Sequence, residues 1–443
     1  MNEKWSKIFC VCPLYPWLGL LCIVILISLI SDKGLASNES WLIPQPGGVV
    51  WHVDGKHGSN DNDGHSEDTA LATIQKAVDL ATHGDMIIVQ PGTYQENLNI
   101  QGKNIILRSV DPTDPVIVKA TRIGTDAVDG GQEVLIRFQG TEDPNCILAG
   151  FDINGSVNGF RDMSGYLITS SRATISHCLF QGNCALGGSH VIEYWSGTVR
   201  HCLIVDNRLC YCACPGNALF GFAGRIENCT IAYNISAIDV PYYAQVVITN
   251  SIIDPGVIDI GRGSHVDISY SNIHGNWIAH EEGGSCSFGP GVIDCDPNFV
   301  SPGYDIEREN GWSYPVMGED YHLKSTAGHW DSVQGQWVED DITSPCIDAG
   351  NPGSAVDDEP QPNGNRINMG AYGGTPTASK SPQHWRPLSD LDNVPGVGIQ
   401  DFAIFAQYWL QTGQDLPADL DRNRIVNLND LSIFLLDWLK TSL

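Results

Sequence analysis

Thr174-Ile175-Ser176-His177-Cys178-Leu179-Phe180-Gln181-Gly182-Asn183, Thr198-Val199-Arg200-His201-Cys202-Leu203-Ile204-Val205-Asp206-Asn207 and Arg225-Ile226-Glu227-Asn228-Cys229-Thr230-Ile231-Ala232-Tyr233-Asn234 are three copies of one phrase. Working outward, the same frame aligns Phe151, Cys178, Cys202, Cys229, Ser251 and Ser271. Three positions before each stands Leu148, Ile175, Val199, Ile226, Ile248 or Ile268, and two after stands Ile153, Phe180, Ile204, Ile231, Ile253 or Ile273. Five positions after, four registers carry Asn183, Asn207, Asn234 and Asn276. The spacing between registers varies while the short core stays constant, as happens when strands of one length are joined by loops of several. The units are too short and too rich in Ile, Val and Thr for paired helices, and no leucine-rich frame is present. A parallel β-helix satisfies the pattern, because each turn buries its apolar positions against the turns above and below.

In such a coil, equivalent residues on successive turns lie about 4.8 Å apart. Cys178, Cys202 and Cys229 then stack as small buried groups. Side chains pointing the same way rarely reach the disulfide dihedral, so these are expected to be core thiols. The recurring Asn is expected to bond the backbone at a corner, where its tolerance of left-handed turns is useful.

The chain has 443 residues and a formal charge of −28, enough length for one elongated domain and one small one. This acidity argues against nucleic acid and against an anionic membrane surface. Lys4 and Lys7, the apolar run Trp17 to Ile30 and Gly34-Leu35-Ala36 read as an export signal over residues 1–36, with an uncleaved anchor as the alternative. Of 14 cysteines, Cys10, Cys12 and Cys22 fall in that segment. Export permits disulfides, and those expected are within Cys184, Cys210, Cys212 and Cys214, whose spacing is too tight for a zinc site.

Before the repeat, Val50-Trp51-His52-Val53 reads as a strand. Thr73 to Ala81 follows as a short amphipathic helix burying Ile74, Ala77, Val78 and Ala81. A helix here would cap the open end of the coil. Ala72-Thr73-Ile74-Gln75-Lys76-Ala77, Gly84-Asp85-Met86-Ile87 and Pro91-Gly92-Thr93-Tyr94-Gln95-Glu96 together resemble the N-terminal signature of right-handed parallel β-helix proteins, the pectate-lyase-like group among them. After the repeat, Asp296-Pro297-Asn298-Phe299, Asp320-Tyr321-His322-Leu323, Ser344 to Gly350 and Asn368 to Gly374 are similar to the last turns and C-terminal cap of such proteins. Their Gly and Pro density suggests loops wrapping the end of the coil. The β-helix is thus expected over residues 48–378, with a polar linker over 379–388.

Beyond Ser389 the composition changes. Asp419, Asp421, Asn423, Asn427 and Asp430 place oxygen side chains at loop positions 1, 3, 5, 9 and 12, the spacing by which alternate residues converge on one calcium ion. Phe434, Leu435 and Trp438 mark the buried face of the helix that follows. A degenerate copy begins at Asp390 and keeps Asp392 and Asp401, with Trp409 matching Trp438. This duplicated loop–helix, residues 389–443, resembles the type I dockerin family. The resemblance implies calcium, Ile425 as a carbonyl ligand, and docking onto a cohesin-like or other surface protein. Arg424 stands where the turn Gly is usual, and Val394 and Pro395 interrupt the first loop.

No catalytic set is legible. A lyase on this fold needs a base beside a carboxylate substrate and a cation to acidify its proton. Lys103, Lys119, Arg122, Arg200, Arg208 and Arg225 are the available bases. A hydrolase needs paired carboxylates, and the grouping of His190, Glu193, Asp206 and Arg208 follows from register alone. The expectation is an exported or surface-attached, monomeric all-β solenoid that binds or cleaves polysaccharide, a lyase before a hydrolase. The alternative is a non-catalytic adhesion or glycan-binding protein.

Overall fold

The computed structural model describes residues 45–124, 134–158, 170–183, 190–207, 217–234, 236–275, 277–307, 313–356 and 358–440. The export signal with its three cysteines, the cluster Cys184, Cys210, Cys212 and Cys214, and also Arg208, Asn276 and the last three residues of the tail, lie outside them.

Three parallel sheets form a β-solenoid. One runs in ten strands from Val50–Val53 to Ser285–Phe288, the second in eight from Gly92–Tyr94 to Asn272–Ile273, and the third in eight from Leu98–Asn99 to Trp277–His280. The register follows the sequence columns: Leu148 pairs with Ile175, Ile175 with Val199, Val199 with Ile226, Ile226 with Ile248 and Ile248 with Ile268. Phe180, Ile204, Ile231, Ile253 and Ile273 form the next ladder. Both ladders, together with the Cys column, are buried in one continuous core along the axis.

The corners explain the polar positions. One residue before the column, Gly150, His177, His201, Asn228, Asn250 and Tyr270 all have positive φ, so each turn bends through one left-handed residue. The next residue then satisfies a corner carbonyl: the thiols of Cys178, Cys202 and Cys229 and the hydroxyls of Ser251 and Ser271 donate to the carbonyl two residues earlier. This accounts for the interchange of Cys and Ser in one column, since each is small and each donates. The Asn ladder runs at the opposite corner. The Asn207 carboxamide accepts from Asn183 N–H and donates to the Phe180 carbonyl, and Asn234 does the same for Asn207 N–H and the Ile204 carbonyl.

Helix α1 (Ile74–Leu80), capped by Thr73, buries Ile74, Ala77 and Val78 on the first strands. Helix α2 (Pro115–Ala120) has no apolar period that announces it in the sequence; Asp114 caps it and Pro115 starts it.

The segment after the coil does more than wrap its end. Phe299, Tyr321, Leu323, Ile347 and Met369 pack against Val205, Ala232 and Ile252 on the outer side of the second sheet. Asp206 Oδ2 accepts from Tyr321 Oη at 2.7 Å and from Gly318 N–H, and Ala371 N–H donates to Thr230 Oγ1. A layer of loops and short antiparallel strands thus covers the flank of the middle turns. The segment 379–388, read as a linker, lies against this layer. Ser379 Oγ donates to the Leu323 carbonyl, Ser381 Oγ to Asp348 and Trp385 Nε1 to the Ile347 carbonyl.

The tail carries two helices, α3 (Ile399–Gln407) and α4 (Leu428–Asp437), around a core of Leu391, Val397, Phe405, Leu420, Val426 and Phe434. Phe434 is buried as expected, but Leu435 is exposed and Trp438 only partly covered. The tail rests on the flanking layer through Arg366, which donates to the Asp390 carbonyl and to Asn393 Oδ1, and through Arg422, which donates to the Ser354 and Asn365 carbonyls.

Candidate functional site

Two places on the molecule gather chemistry. The first is a pair of carboxylate clusters in the tail. Asp419, Asp421 and Asp430 bring oxygens within 4.8 Å of one another, and Asp390, Asp392 and Asp401 do the same in the first loop. The local sequence builds each cluster in the same way. Asp430 takes the Asn427 N–H at the start of α4 with one oxygen and the Asp421 N–H with the other. Asp401 likewise ties the Gly398 N–H to those of Leu391 and Asp392. Asp419 accepts from Asn423 and Arg424 N–H, folding the second loop around its first residue.

The other expected ligands are placed differently. Asn423 Nδ2 donates to Asp421, and its Oδ1 accepts from Ile425 N–H. Asn427 Oδ1 caps α4 through Asn429 N–H, while its Nδ2 holds the Ile425 carbonyl. Arg424 takes a left-handed conformation, φ +71°, where Gly is usual; in the first loop Gly396 bears the positive φ, one place after Pro395. Burial pushes the Asp419 and Asp392 carboxyls up, and that of Asp390 up to about 6, with the neighbouring carboxylates adding to it. A donor set of three hard oxygens, costly to ionise together, fits a divalent cation. The second loop fits better. In the first, Val394 supplies no side-chain donor and the Arg386 guanidinium lies 3.5 Å from Asp390 Oδ2.

The second place is a cleft of about 410 Å³ on the flank, between α2 and the outer layer. Its floor is set by the left-handed corners. Because His177 and His201 occupy the same corner on adjacent turns, their rings stack at 4.7 Å and 11°. Burial drives both imidazoles toward the neutral form, His201 down to about 4, with Arg200 adding to the effect. The outer layer contributes His322, stacked on Tyr372 at 3.7 Å, with its Nδ1 2.6 Å from Asp320 Oδ1. A carboxylate only accepts, so Nδ1 donates to Asp320, while Nε2 is buried without a hydrogen-bond partner. Burial alone would raise the Asp320 carboxyl, but the hydrogen bond and charge of His322 outweigh it and hold it below its ordinary value. Val116 and Lys119 line the opposite wall.

Of the bases considered from sequence, Lys119 reaches this cleft. Lys103 donates to the Val78 carbonyl, Arg122 pairs with Asp152 at 2.8 Å and Arg225 with Glu227 at 2.7 Å. Arg200 Nε donates to Ser176 Oγ. Glu193 belongs to the third sheet and His190, just before its strand, stacks on Phe220 of that sheet, whereas Asp206 faces Tyr321 on the flank. That grouping from register therefore does not form one site. The sequence reading missed the imidazoles of the cleft. Their signal was present: His occupies the residue before the column on two successive turns, where neighbouring turns have Gly or Asn.

A sequence family described as "Disaggregatase related" matches residues 221–350. No curated protein matches. Among solved structures, the chain is similar to a pectate lyase at 13% identity and TM-score 0.33, over 74% of this chain and 98% of that one. A rhamnogalacturonan lyase gives 14% identity and TM-score 0.33, over 51% and 68%. A pectin methylesterase from Aspergillus niger gives 13% identity and TM-score 0.31, over 56% and 86%. At these values none assigns an activity to this chain. Among the described residues no helix is long and apolar enough to cross a membrane.

Proposed function

We propose that this is an exported β-solenoid that binds or acts on polysaccharide in the flank cleft, and that its tail, loaded with calcium, docks onto a cohesin-like or other surface protein. The observation that carries the first part is the cleft itself. Stacked neutral imidazoles, the Tyr372 ring and aliphatic side chains offer flat apolar surfaces to sugar faces, and Asp320, His322 and Lys119 offer a few directed polar groups. For a lyase reaction, Lys119 and His322, the latter oriented through Asp320, are the candidate proton-transfer groups in the cleft. Glu319 and Asp320 on the same wall favour a neutral or sparsely charged chain over a polyuronate, unless a cation bridges them.

For the tail, Asp419, Asp421 and Asp430 would hold the ion, which supplies the positive charge that keeps three close carboxylates ionised and the loop folded. The tail exposes Ile399, Leu410, Leu428, Leu435, Leu436 and Leu439, apolar side chains suited to a protein partner.

The test is incubation with a panel of neutral and uronate-containing polysaccharides, following ultraviolet absorbance of unsaturated ends and release of reducing ends. Absorbance gained on one polymer and lost in Lys119→Met or His322→Gln establishes a lyase in this cleft. Retention of a polymer without either signal supports the non-catalytic reading. Neither turnover nor retention across the panel rejects the proposal.

A further inference from the structure

Cys295 and Cys346 meet where the last turn of the coil joins the flanking layer. One carboxamide touches both: Asn272 Nδ2 lies 3.4 Å from Cys346 Sγ, and Asn272 Oδ1 lies 3.9 Å from Cys295 Sγ. The same carboxamide fixes the Cys295 backbone, accepting its N–H at 3.1 Å and donating to its carbonyl at 2.8 Å. The Asn272 carboxamide thus brings the two thiols side by side. Cys346 is fully buried, while Cys295 is partly exposed. Among the described residues, no further His, Cys, Asp or Glu joins the pair to complete a metal-ligand group.

The Cys178, Cys202 and Cys229 column shows why this pair is different. Those three stand in register on parallel turns, and each sulfur lies against carbonyls of its own and the preceding turn. Cys295 and Cys346 approach from segments that are not paired strands: one follows the bridge between Asn272 and Ile293, the other follows Ser344 in the outer layer. Their side chains meet at the Asn272 carboxamide from two different segments, free of the parallel register that works against a disulfide in the column.

We infer that Cys295 and Cys346 form a dithiol–disulfide site that staples the flanking layer, and with it one wall of the cleft, to the end of the coil. Cys295 is the entry point. The neighbouring Cys346, His274 and Arg386 favour its thiolate and lower its pKa against the opposing effect of burial. The Cys295 thiolate attacks one sulfur of a small-molecule disulfide and expels a thiolate. Cys346 then loses its proton, its sulfur attacks the Cys295 sulfur of the mixed disulfide, and the second thiolate leaves. Two protein thiols are oxidised by two electrons, and one external disulfide is reduced to two thiols. The bond stabilises the layer by restricting the unfolded chain between the two cysteines.

The full chain, reduced and then exposed to oxidised glutathione, is quenched with an alkylating reagent and mapped by mass spectrometry without reduction. The expected result is a linked peptide containing Cys295 and Cys346, with Cys178, Cys202 and Cys229 alkylated once the chain is denatured. In thermal melts the oxidised wild type should unfold above its own reduced form, and the gap between the two conditions should be smaller in Cys295→Ser. Recovery of Cys295 and Cys346 both alkylated, or of Cys295 joined to another cysteine, overturns the inference. The peptide map needs only the wild-type chain, so a poorly folding variant leaves the test intact, and its outcome is independent of the polysaccharide assay.

Discussion

His177 and His201 show how much a single corner position decides. Each turn of the coil has one left-handed residue there, which Gly150, Asn228 and Asn250 supply at low cost on three of the other turns. Placing His in two successive corners adds a stacked pair that the flanking layer then covers. Because burial holds their pKa below the ordinary value of 6.5, the unfolded chain takes up more protons than the folded one as pH falls from 6.5 toward about 4. Their contribution to stability is present above pH 6.5 and lost as pH drops through that range. Urea midpoints measured across it should fall steeply for the wild type and less steeply for His201→Asn, which keeps a side chain that the left-handed corner tolerates. An unchanged slope in the variant would assign the acid sensitivity elsewhere. These positions were legible only as members of a repeat. Nothing in the sequence marked them as lining a cleft, because the wall opposite is contributed by Asp320 to His322, more than a hundred residues later.

At the scale of the element, the turns were readable to the residue because their core obeys a fixed frame. Ile231 sits between Ile204 and Ile253 in the middle of the ladder and is buried. Ile231→Ala should cost about 3 kcal/mol in denaturant unfolding. Leu436→Ala, on the exposed face of α4, should change stability by less than about 0.5 kcal/mol. Equal effects of the two would contradict the packing described. Helix α2 escaped the reading because a six-residue helix shows barely more than one apolar period, and Pro115 resembles a turn signal unless Asp114 is recognised as its cap. In the tail, the second loop was legible from its alternating oxygens, but the helix-capping use of Asn427 was not, since the same side chain suits either role. Arg424 holds a backbone conformation that costs an L-residue about 1 kcal/mol or more. Arg424→Gly should therefore raise the melting temperature of the calcium-loaded tail and tighten calcium binding by calorimetry, with the Asp419 acceptor still in place. Weaker binding would show that the arginine side chain itself supports the loop.

Over the whole molecule, the long-range architecture carries the functional reading, and it was the least legible part. The strings after residue 295 have no period, and their partners are distant: Ala371 bonds Thr230, Asn351 bonds Asn250, and Tyr321 bonds Asp206. Sequence spacing therefore suggested loops over the end of the coil, whereas the chain folds back along its side and encloses space against α2. That enclosure is what turns a solenoid into a molecule with a cleft. The tail then continues from the same layer through Arg366 and Arg422. Val116 offers the most direct test of the cleft as the polysaccharide site, because it lines the cleft wall from α2 and is 56% exposed, so a larger side chain there need not disturb the core. Wild type and Val116→Trp should be compared by affinity electrophoresis in gels cast with each polysaccharide of the panel, after thermal melts have confirmed equal folding. The wild type should be retarded by at least one polymer and the variant should run unhindered; equal retardation of both would place the glycan elsewhere on the molecule.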